Sequence, residues 1–440
     1  MENREIVIVG GGFAGVCAAM GAASVVRRRR ATGRVGITLV SSGDALVIRP
    51  RLYESDLGGV CVPLSRVLSP VGVRHRRASV ESVDLGRRLL TLTGERREEL
   101  AYDQLTLCTG SRARAAVGCG GAHGVDTFEQ ASALRRAIAA LTAAPGGSFS
   151  ATVIGAGFTG IELAAELAGT PEPAARSAAP RSGGRVNLIE RAAAVAPEFG
   201  PTARAVITDA LSRLGVQTHT GVSVSQVLPG GVRLDDGALL ETDLVIWTGG
   251  PTASPLGEQL GVELGRLGRI PVGSHMNTAI EGVWAAGDCA HVTVDGEHFA
   301  PMSCQHAIPQ GRQAGENAAA ALLGGRPGRY RQHLYLTCLD LGAEGALLTR
   351  GFDRDEIVAT GELGKRFKRF INRSYIYPPA GGEIDALLKL GKGGRSGPLA
   401  ASVQARALSN DRLRAAVVSR GRDLAATYAA AAEPSRSGTC

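Results

Sequence analysis

The stretch SCQHAIPQG within residues 302–311 places a thiol, an imidazole and two amides within seven residues. Cys304 could act as a nucleophile, Cys304 with His306 could ligate a metal, and Gln305 and Gln310 could hydrogen-bond a bound molecule. None of the eight cysteines lies in a Cys-x-x-Cys motif, and no metal-ligand spacing accompanies the stretch. The sequence therefore predicts neither a metal site nor a disulfide framework, and the function of the stretch depends on its surroundings.

Two segments share the pattern of an apolar strand, then Gly-x-Gly-x-x-Gly, then an alanine-rich helix. They are IVIVGGGFAGVCAAM at residues 6–20 and TVIGAGFTGIELAAEL at residues 152–167. In such a loop the first glycine permits the tight turn, the second lets backbone approach a pyrophosphate, and the third lets the helix pack on the strand. Unpaired N–H groups at the helix start then favour the phosphates. Two copies predict two dinucleotide-binding folds, whose loop residues are Gly10, Gly12, Phe13, Ala14 and Gly15 in the first and Gly155, Gly157 and Gly160 in the second.

Each unit is followed by a second strand whose end should contact the ribose of the dinucleotide. In the second unit this strand is RVNLIER, and it places Glu190 at that position. A carboxylate there accepts from both ribose hydroxyls and repels a 2′-phosphate, so the second fold is predicted to bind NADH rather than NADPH. In the first unit the strand is GITLVSS, where Ser41 can still hydrogen-bond a ribose.

Later elements complete the order along the chain. Two apolar strands end in Thr-Gly, at 102–111 and 242–250, and TAIEGVWAAGDCA at 278–290 leads to a Gly-Asp pair. A helical pattern follows from about Gln305 to Leu323, and strand-like segments lie at 332–360. The chain is therefore predicted to be α/β, with two Rossmann-like dinucleotide-binding domains and a smaller C-terminal α+β region.

The same order predicts the domain boundaries. The first dinucleotide-binding domain would be discontinuous, covering 1–115 and 265–330, with the NAD(P)H-binding domain at 116–264 inserted into it. A C-terminal domain with a basic tail would cover 331–440.

These elements resemble the two-dinucleotide-binding-domain flavoproteins of the pyridine nucleotide-disulfide oxidoreductase superfamily, which hold FAD in the first fold and NAD(P)H in the second. The resemblance covers about residues 1–330. SCQHAIPQG is similar to the Ala-Gln-x-Ala-x-x-Gln-Gly element of type II NADH dehydrogenases. GKRFKRFINRSYIYPP at 364–379 is similar to the basic and aromatic C-terminal region of the same enzymes.

The resemblance implies roles for particular residues. Gln305, Ala307 and Gln310 would line the pocket of the electron acceptor, and Cys304 stands where the family has alanine. His306 is a candidate proton source. Further cofactor contacts are implied at Arg49, Thr109, Gly110, Gly249, Gly287 and Asp288, the last to the ribityl chain of FAD. In the second helix, Glu162 or Glu166 would lie near the nicotinamide, or both would be ordinary helix-surface glutamates.

The function implied is an FAD-dependent NADH dehydrogenase that passes hydride from NADH to flavin N5 and then electrons to a quinone at the 304–311 wall. Three alternatives stay open. One is a soluble NAD(P)H-dependent reductase or tailoring oxidoreductase acting on a small organic molecule. Another resembles sulfide:quinone reductases, with a cysteine pair drawn from Cys61 or Cys119 and Cys304 or Cys338. A non-enzymatic alternative is a flavoprotein scaffold whose redox state controls partner binding.

The net charge of +8 is concentrated at the C-terminal end, because residues 362–440 contain 14 basic and 6 acidic residues. Within this stretch, aromatic and aliphatic residues lie among cations in the pattern of an interfacial helix. They are Phe367, Phe370 and Ile371 among Lys365, Arg366, Lys368, Arg369 and Arg373. The sequence predicts a peripheral membrane contact through residues 364–379, together with a homodimer.

Localisation and other partners follow from what the sequence lacks. No apolar run approaches about 18 residues, and a strand pattern starts within five residues of Met1, which leaves no room for a signal peptide. Basic and aromatic residues alternate in only one short segment, so no nucleic-acid partner is expected. The predicted location is the cytoplasm, with contact to the inner face of the cytoplasmic membrane.

Overall fold

A computed structural model describes residues 4–114, 120–143, 149–169, 185–332, 335–379 and 382–391. The predictions made for Cys119 and for the basic tail beyond residue 391 lie outside these ranges.

Strands are more numerous than helices along the described residues. The first part contains β1 Arg4–Val9, α1 Phe13–Arg28, β2 Val35–Ser41, β3 Ala45–Val47, β4 Cys61–Pro63, α2 Leu64–Leu68, β5 Arg74–Arg77, β6 Ser79–Asp84, β7 Leu89–Thr93, β8 Glu98–Ala101, β9 Gln104–Leu107 and β10 Ser111–Ala113. The second contains α3 Phe128–Ala143, β11 Ser150–Ile154, α4 Phe158–Ala168, β12 Arg185–Glu190, α5 Pro201–Arg213, β13 Gln217–Thr220, β14 Val224–Leu228, β15 Gly231–Leu234, β16 Leu239–Glu241, β17 Leu244–Trp247 and β18 Pro251–Ala253. The last contains β19 Ile270–Pro271, β20 Val283–Ala285, β21 Ala290–His291, α6 Cys304–Leu322, β22 Leu336–Asp340, β23 Ala346–Arg350, β24 Glu356–Ala359, α7 Gly361–Phe370 and α8 Ile384–Leu387.

The first sheet is parallel and combines strands from both ends of the predicted FAD-binding domain. Its order is β20-β9-β1-β2-β5, and Ile6 to Val9 pair on both sides, with β2 and with β9. These residues are buried in one core with residues of α1, α6 and β7, which is why the strand is a continuous apolar run. Because β20 lies beside β9, the chain has returned to its first sheet by Val283.

The second sheet repeats this arrangement. Its order is β13-β12-β11-β17, again entirely parallel, with α4 following β11 as α1 follows β1. Two three-stranded antiparallel sheets, β6-β7-β8 and β14-β15-β16, follow the second strand of each unit. Strands β10 and β18 pair antiparallel and lie next to each other where the chain crosses between the two folds. The structure thus confirms the prediction of an α/β chain with two Rossmann-like folds.

The C-terminal region is α+β, as predicted. Strands β22, β23 and β24 form an antiparallel sheet, and α7 packs on β23 through Gly364, where a β-carbon would lie 2.1 Å from the carbonyl oxygen of Ala346. A π-helical turn, Ile371–Tyr375, follows α7 directly. This turn and α7 border the cavity described below.

Helices α1 and α6 cross at very short distance, and this contact positions the stretch that contains Cys304. A β-carbon on Gly315 would lie 1.9 Å from the carbonyl oxygen of Ala18, and one on Gly311 would lie 2.0 Å from that of Ala14. Only glycine permits such close approach of two helix backbones. Helix α6 begins and ends within one residue of the prediction.

In the described part of the chain, no helix combines the length and apolarity that a bilayer span requires.

Candidate functional site

A cavity of about 1230 Å³ lies between the two folds and the C-terminal region. Both glycine-rich loops, the start of α6, α7 and the π-helical turn contribute to its wall. Twelve of the predicted cofactor contacts and acceptor-pocket residues line it: Gly12, Phe13, Ala14, Arg49, Gly110, Gly155, Gly157, Glu190, Gly249, Asp288, Gln305 and Ala307. The structure therefore brings together residues that are up to 295 positions apart in the sequence.

The two glycine-rich loops have the same backbone geometry. Gly10 and Gly155 have φ of 118° and 104°, and their N–H groups each donate at 2.8 Å to the end of the neighbouring strand. A β-carbon on Gly15 would lie 1.8 Å from the Gly10 carbonyl oxygen, and one on Gly160 would lie 1.8 Å from that of Gly155. Gly10, Gly15 and Gly160 serve the turn and the packing and lie behind the cavity wall, whereas Gly155 also lines the cavity.

The second glycine of each loop faces the cavity. Gly12 is the N-cap of α1 and Gly157 that of α4, and no side chain caps either helix. A β-carbon on Gly12 would meet nothing within 4 Å. Each helix therefore offers unpaired N–H groups to an anion in the cavity.

Asp288 belongs to a polar cluster where the two folds meet. Its Oδ2 accepts a hydrogen bond of 2.6 Å from Ser111 Oγ, and Arg49 Nη1 lies 3.9 Å from the same oxygen. Arg49 also pairs with Asp126 and donates to Ser111 Oγ at 3.1 Å. The carboxylate is thereby fixed on the wall beside the α1 N-terminus. Ser111 and Asp126 were not anticipated from sequence, because they lie outside any motif.

Gln310 does not line the cavity. Its side chain is fully buried, and its Oε1 accepts a hydrogen bond of 2.9 Å from the N–H of Gly287. This position disagrees with the prediction that Gln310 lines the pocket of the electron acceptor. Gln310 instead holds the turn at Gly287, the residue before Asp288. Gly287 has a φ of 77° and, like Gln310, does not line the cavity.

His306 is buried as well and points away from the cavity. Its Nδ1 lies 2.9 Å from Ser303 Oγ, and its ring contacts that of Tyr335. Burial first, and then the nearby Arg269 and Arg354, lower the pKa of His306 to about 4. The imidazole is therefore neutral near neutral pH, and the structure gives no support to its predicted role as a proton source.

Cys304 and Cys338 both line the cavity. Burial raises the pKa of the Cys304 thiol to about 11 and that of Cys338 to about 12. Since the thiolate is the reactive form of cysteine, both residues are protonated and unreactive thiols at neutral pH.

Of the two glutamates on α4, Glu162 lies on the cavity wall and Glu166 does not. Glu166 Oε1 accepts a hydrogen bond from Ser55 N at 2.8 Å. Glu162 is buried, and its Oε1 accepts from Lys368 Nζ at 2.7 Å and from Asp340 N at 2.9 Å. Of the two candidates that the resemblance left, only Glu162 lies where it can contact a molecule in the cavity.

Glu162 and Lys368 form a buried ion pair on the cavity wall. Their side chains are 5% and 6% exposed, and Lys368 Nζ also donates to the carbonyl oxygen of Cys338 at 2.9 Å. The rings of Tyr53 and Phe158 lie 5.6 and 5.4 Å from the ammonium group. Burial raises the pKa of Glu162 to about 7, although Lys368 acts in the opposite direction. This carboxyl group can therefore exchange a proton near neutral pH.

The position of Lys368 corrects the sequence prediction for residues 364–379. Lys365 and Lys368 were expected to flank an exposed apolar stripe, but Lys365 pairs with Asp340 and Lys368 with Glu162. No local pattern in the sequence distinguished these two lysines, because Arg51 and Arg312 are buried as well and Lys389 is exposed.

Glu190 occupies the predicted position at the end of β12. Its Oε2 accepts from Ala156 N at 2.8 Å and its Oε1 accepts from Ala192 N at 2.9 Å. Both oxygens keep a further lone pair for a ribose hydroxyl. In the first fold, Ser41 does not line the cavity, and its hydroxyl donates to Gly43 O at 2.8 Å and lies 2.9 Å from His75 Nε2. Thr109 also lies behind the wall.

These residues fit two dinucleotides. The open space above Gly12, the uncapped α1 N-terminus and the Asp288 cluster match the pyrophosphate and ribityl chain of FAD, with Arg49 and Gly110 on the same wall. The loop at Gly155–Gly157 and Glu190 match NAD(P)H. The cavity has the volume expected for large ligands of this type.

The chain belongs to the pyridine nucleotide-disulphide oxidoreductase family, whose sequence model matches residues 4–311. It is thus an FAD-dependent oxidoreductase that uses NAD(P)H. A NADH dehydrogenase-like protein of Mycobacterium tuberculosis is 40% identical over 395 residues, which is 87% of this chain and 97% of that protein.

A type II NADH:quinone oxidoreductase of the same organism is 28% identical over 358 residues, covering 74% of each chain. Among solved structures, the sulfide:quinone oxidoreductase of Aquifex aeolicus superposes with a TM-score of 0.69, covering 87% of this chain and 92% of that one. At 16% identity, this last likeness concerns the fold alone.

Proposed function

We propose that the chain oxidises NADH and reduces a quinone, which binds in the cavity between the start of α6 and the π-helical turn. The Glu162–Lys368 pair is the observation that carries this proposal, because a quinone takes up protons with its electrons and a buried carboxyl group of pKa about 7 can supply one. The name of the type II relative supports the same acceptor. Bound flavin supplies the hydride and electron transfer chemistry.

We propose for the domains the boundaries that the sequence predicts. Residues 1–115 and 265–330 hold FAD, residues 116–264 hold NADH, and residues 331–440 complete the acceptor side. The five-stranded sheet, which joins β20 to β9, supports the discontinuous first domain.

Two sets of residues shape the acceptor side of the cavity. Leu52, Phe367 and Ile371 provide apolar wall, which suits a quinone ring and excludes water. Gln305 provides an amide whose Oε1 is buried without a hydrogen-bond donor among the described residues. This amide can donate to a quinone carbonyl through Nε2 and accept from the hydroquinone hydroxyl through Oε1.

Glu190 supports NADH as the electron donor. Its carboxylate, held by two backbone N–H groups, would repel the 2′-phosphate of NADPH. Arg191 is exposed on the cavity wall next to it and reduces this discrimination. Turnover at saturating quinone is therefore expected to favour NADH over NADPH.

Steady-state NADH oxidation with menaquinone and ubiquinone analogues tests the acceptor. Each analogue should be reduced faster than oxygen. Because Glu162 must be protonated to donate, quinone turnover should fall as pH rises above about 7, approaching tenfold per pH unit. Ferricyanide takes electrons without protons, so its reduction should lack this decline.

A Glu162→Gln variant provides the control for this pH profile. It should lose most quinone turnover at every pH and retain ferricyanide reduction. If no quinone is reduced faster than oxygen, the acceptor is a different small organic molecule. Slow NADH oxidation with every acceptor would instead favour a redox-controlled scaffold.

We also propose a peripheral membrane contact through the exposed face of α7. Leu363 and Phe370 are 61% and 45% exposed, and Arg366, Arg369 and Arg373 are exposed beside them. Apolar side chains flanked by arginines suit the interface of an anionic bilayer. This face lies on the side of α7 opposite to Lys368, so it brings the cavity close to a membrane-dissolved quinone.

Co-sedimentation with lipid vesicles tests this contact. The chain should bind phosphatidylglycerol vesicles at low salt, and binding should weaken at high salt because the arginine contribution is screened. A Leu363→Ser/Phe370→Ser variant should lose binding. Leu239→Ser, which changes a 55% exposed leucine on β16, should not. Absence of sedimentation with anionic vesicles at low salt would contradict the proposal.

A further inference from the structure

A turn of the C-terminal region reaches the coenzyme side of the cavity. It comprises residues 351–355 and joins β23 to β24. Gly200 N donates to the carbonyl oxygen of Asp353 at 3.0 Å, and Asp355 Oδ1 accepts from Ala203 N at 2.9 Å, in the first turn of α5. The turn is therefore fixed against the fold that carries the second glycine-rich loop.

Arg354 in this turn projects its guanidinium group to the cavity wall. The side chain is 12% exposed, and its central carbon lies 5.6 Å from the ring centroids of both Phe199 and Tyr335. It forms an ion pair with Glu198. Two aromatic rings and one carboxylate thus hold the cation in one place.

Glu198 lies beside the N-terminus of α4. A β-carbon on Gly157, the N-cap, would lie 3.1 Å from Glu198 Oε1, and the first turn of α4 contains no acidic residue. A pyrophosphate at this loop would bring negative charge next to the Glu198 carboxylate. The two anions repel each other unless a cation lies between them.

Arg354 has a donor to spare at the cavity wall. Its φ is 50°, in the left-handed region that favours glycine or asparagine, a conformation that Arg30 and Arg88 share. Its Nε is buried without an acceptor in the part of the chain that the structure describes. A buried, unpaired donor of a cavity-lining residue indicates that the guanidinium group is placed for a ligand.

We infer that Arg354 binds the pyrophosphate of the coenzyme, and that Glu198 is the partner that holds it in position before the coenzyme arrives. A guanidinium group has five N–H donors, so it can contact a phosphate along one edge and Glu198 along the other. The C-terminal region thereby contributes directly to binding in the NADH fold. This inference rests on the proposed binding of NADH at residues 155–160.

The two members of the pair have opposite effects on anion binding. Removing Arg354 leaves the pyrophosphate next to an unbalanced carboxylate, whereas removing the charge of Glu198 takes away the repulsion. Coenzyme binding should therefore weaken in Arg354→Asn and strengthen severalfold in Glu198→Gln. If the ion pair had a purely structural role, both variants would instead bind the coenzyme more weakly.

Isothermal titration of the FAD-loaded full-length chain with ADP-ribose and adenosine tests the inference without electron transfer. Arg354→Asn should raise the Kd of ADP-ribose by about tenfold to a hundredfold, the effect of losing hydrogen bonds to a charged group. The Kd of adenosine, which lacks the pyrophosphate, should stay the same. The Kd of ADP-ribose for Arg354→Lys should lie between those of the parent chain and of Arg354→Asn.

A matched control lies on the same hairpin. Arg350 pairs with Glu356 away from the cavity, so Arg350→Asn should leave the Kd of ADP-ribose unchanged. The melting temperature of Arg354→Asn should stay close to that of the parent chain, because asparagine suits a left-handed turn. If Arg354→Asn does not fold, Glu198→Gln and Arg354→Lys decide the outcome.

Unchanged ADP-ribose affinity in the arginine variants, an equal loss of adenosine affinity, or weaker binding in Glu198→Gln would overturn the inference. These titrations are independent of the acceptor. A failure of quinone reduction with the expected ADP-ribose pattern would count against the proposed acceptor only.

Discussion

Replacing Lys368 with methionine is expected to lower the free energy of unfolding by about 3–5 kcal/mol, the typical effect of removing one partner of a buried ion pair. The same variant should lose most quinone turnover, because without Lys368 the Glu162 carboxyl group is a weaker acid and is no longer held in position. Lys368 Nζ provides the only ammonium group that contacts Glu162 within the described residues. Without Lys368, the buried Glu162 carboxylate keeps the N–H of Asp340 as its one hydrogen-bond donor to Oε1 among the described residues.

The loss of stability in Lys368→Met should depend on pH. Removing the cation raises the pKa of Glu162 above its present value of about 7. A carboxyl group whose pKa is raised in the folded state stabilises that state while it is protonated, and this contribution is lost as pH rises through the folded pKa. The variant should therefore lose more stability in alkaline than in mildly acidic solution, as measured by denaturant unfolding.

Two further variants separate stability from function. In Glu162→Leu/Lys368→Met no unpaired charge stays buried, so most of the stability should return while quinone turnover stays low. Lys365→Met removes a lysine on the same helix that pairs with Asp340 and does not line the cavity. It should lower stability without selectively reducing quinone turnover. Full quinone turnover in Lys368→Met would show that the pair has no part in reduction of the acceptor.

Gly12→Ala and Gly15→Ala are expected to fail for different reasons, although they change neighbouring glycines of one loop. Gly12 has an ordinary φ of −81°, and a β-carbon there would meet no protein atom within 4 Å. The variant should fold normally. The added methyl group occupies the space that a pyrophosphate needs, so the Kd for FAD should rise by about a hundredfold or more, which corresponds to about 2.8 kcal/mol.

Gly15→Ala should instead destabilise the fold itself. Its β-carbon would lie 1.8 Å from the carbonyl oxygen of Gly10, which is a backbone atom that cannot rotate away. Helix α1 must then separate from β1, and a loss of about 3 kcal/mol or more in the free energy of unfolding is expected, with or without FAD. Gly43→Ala is the control, since its β-carbon also meets nothing and Gly43 does not line the cavity.

Flavin content after purification and unfolding of the FAD-free protein distinguish the two variants. Gly12→Ala should unfold like the parent FAD-free protein, and Gly15→Ala should unfold earlier. Full FAD occupancy in Gly12→Ala would mean that the pyrophosphate does not approach this glycine. That result would count against the assignment of the first fold to FAD.

The sequence by itself predicted the fold because local patterns specify it. A buried parallel strand, a glycine-rich turn and an alanine-rich helix need neighbours in sequence, so two copies of this unit defined two Rossmann-like folds. The bounds of α6 were predicted within one residue. The positions of Gly12, Gly157 and Glu190 on the cavity wall follow from the same units.

Only the tertiary structure decided which side chains of α6 face the cavity. Gln305 and Gln310 are five residues apart, which places them about 140° apart around an α-helix, so they face different neighbours. Gln305 lines the cavity, whereas Gln310 holds Gly287 and His306 packs against Tyr335. The family pattern fixed the residue types, but the direction of each side chain depends on the contact of α6 with α1.

The residues that the C-terminal region contributes to the site could not be predicted from the sequence either. Lys368 is 206 residues from Glu162, and Arg354 is 156 residues from Glu198. No local pattern links residues so far apart, because their contact depends on how β22, β23, β24 and α7 pack on the second fold. The sequence determined what each fold can bind, and the packing of the C-terminal region decided which charges meet in the cavity between them.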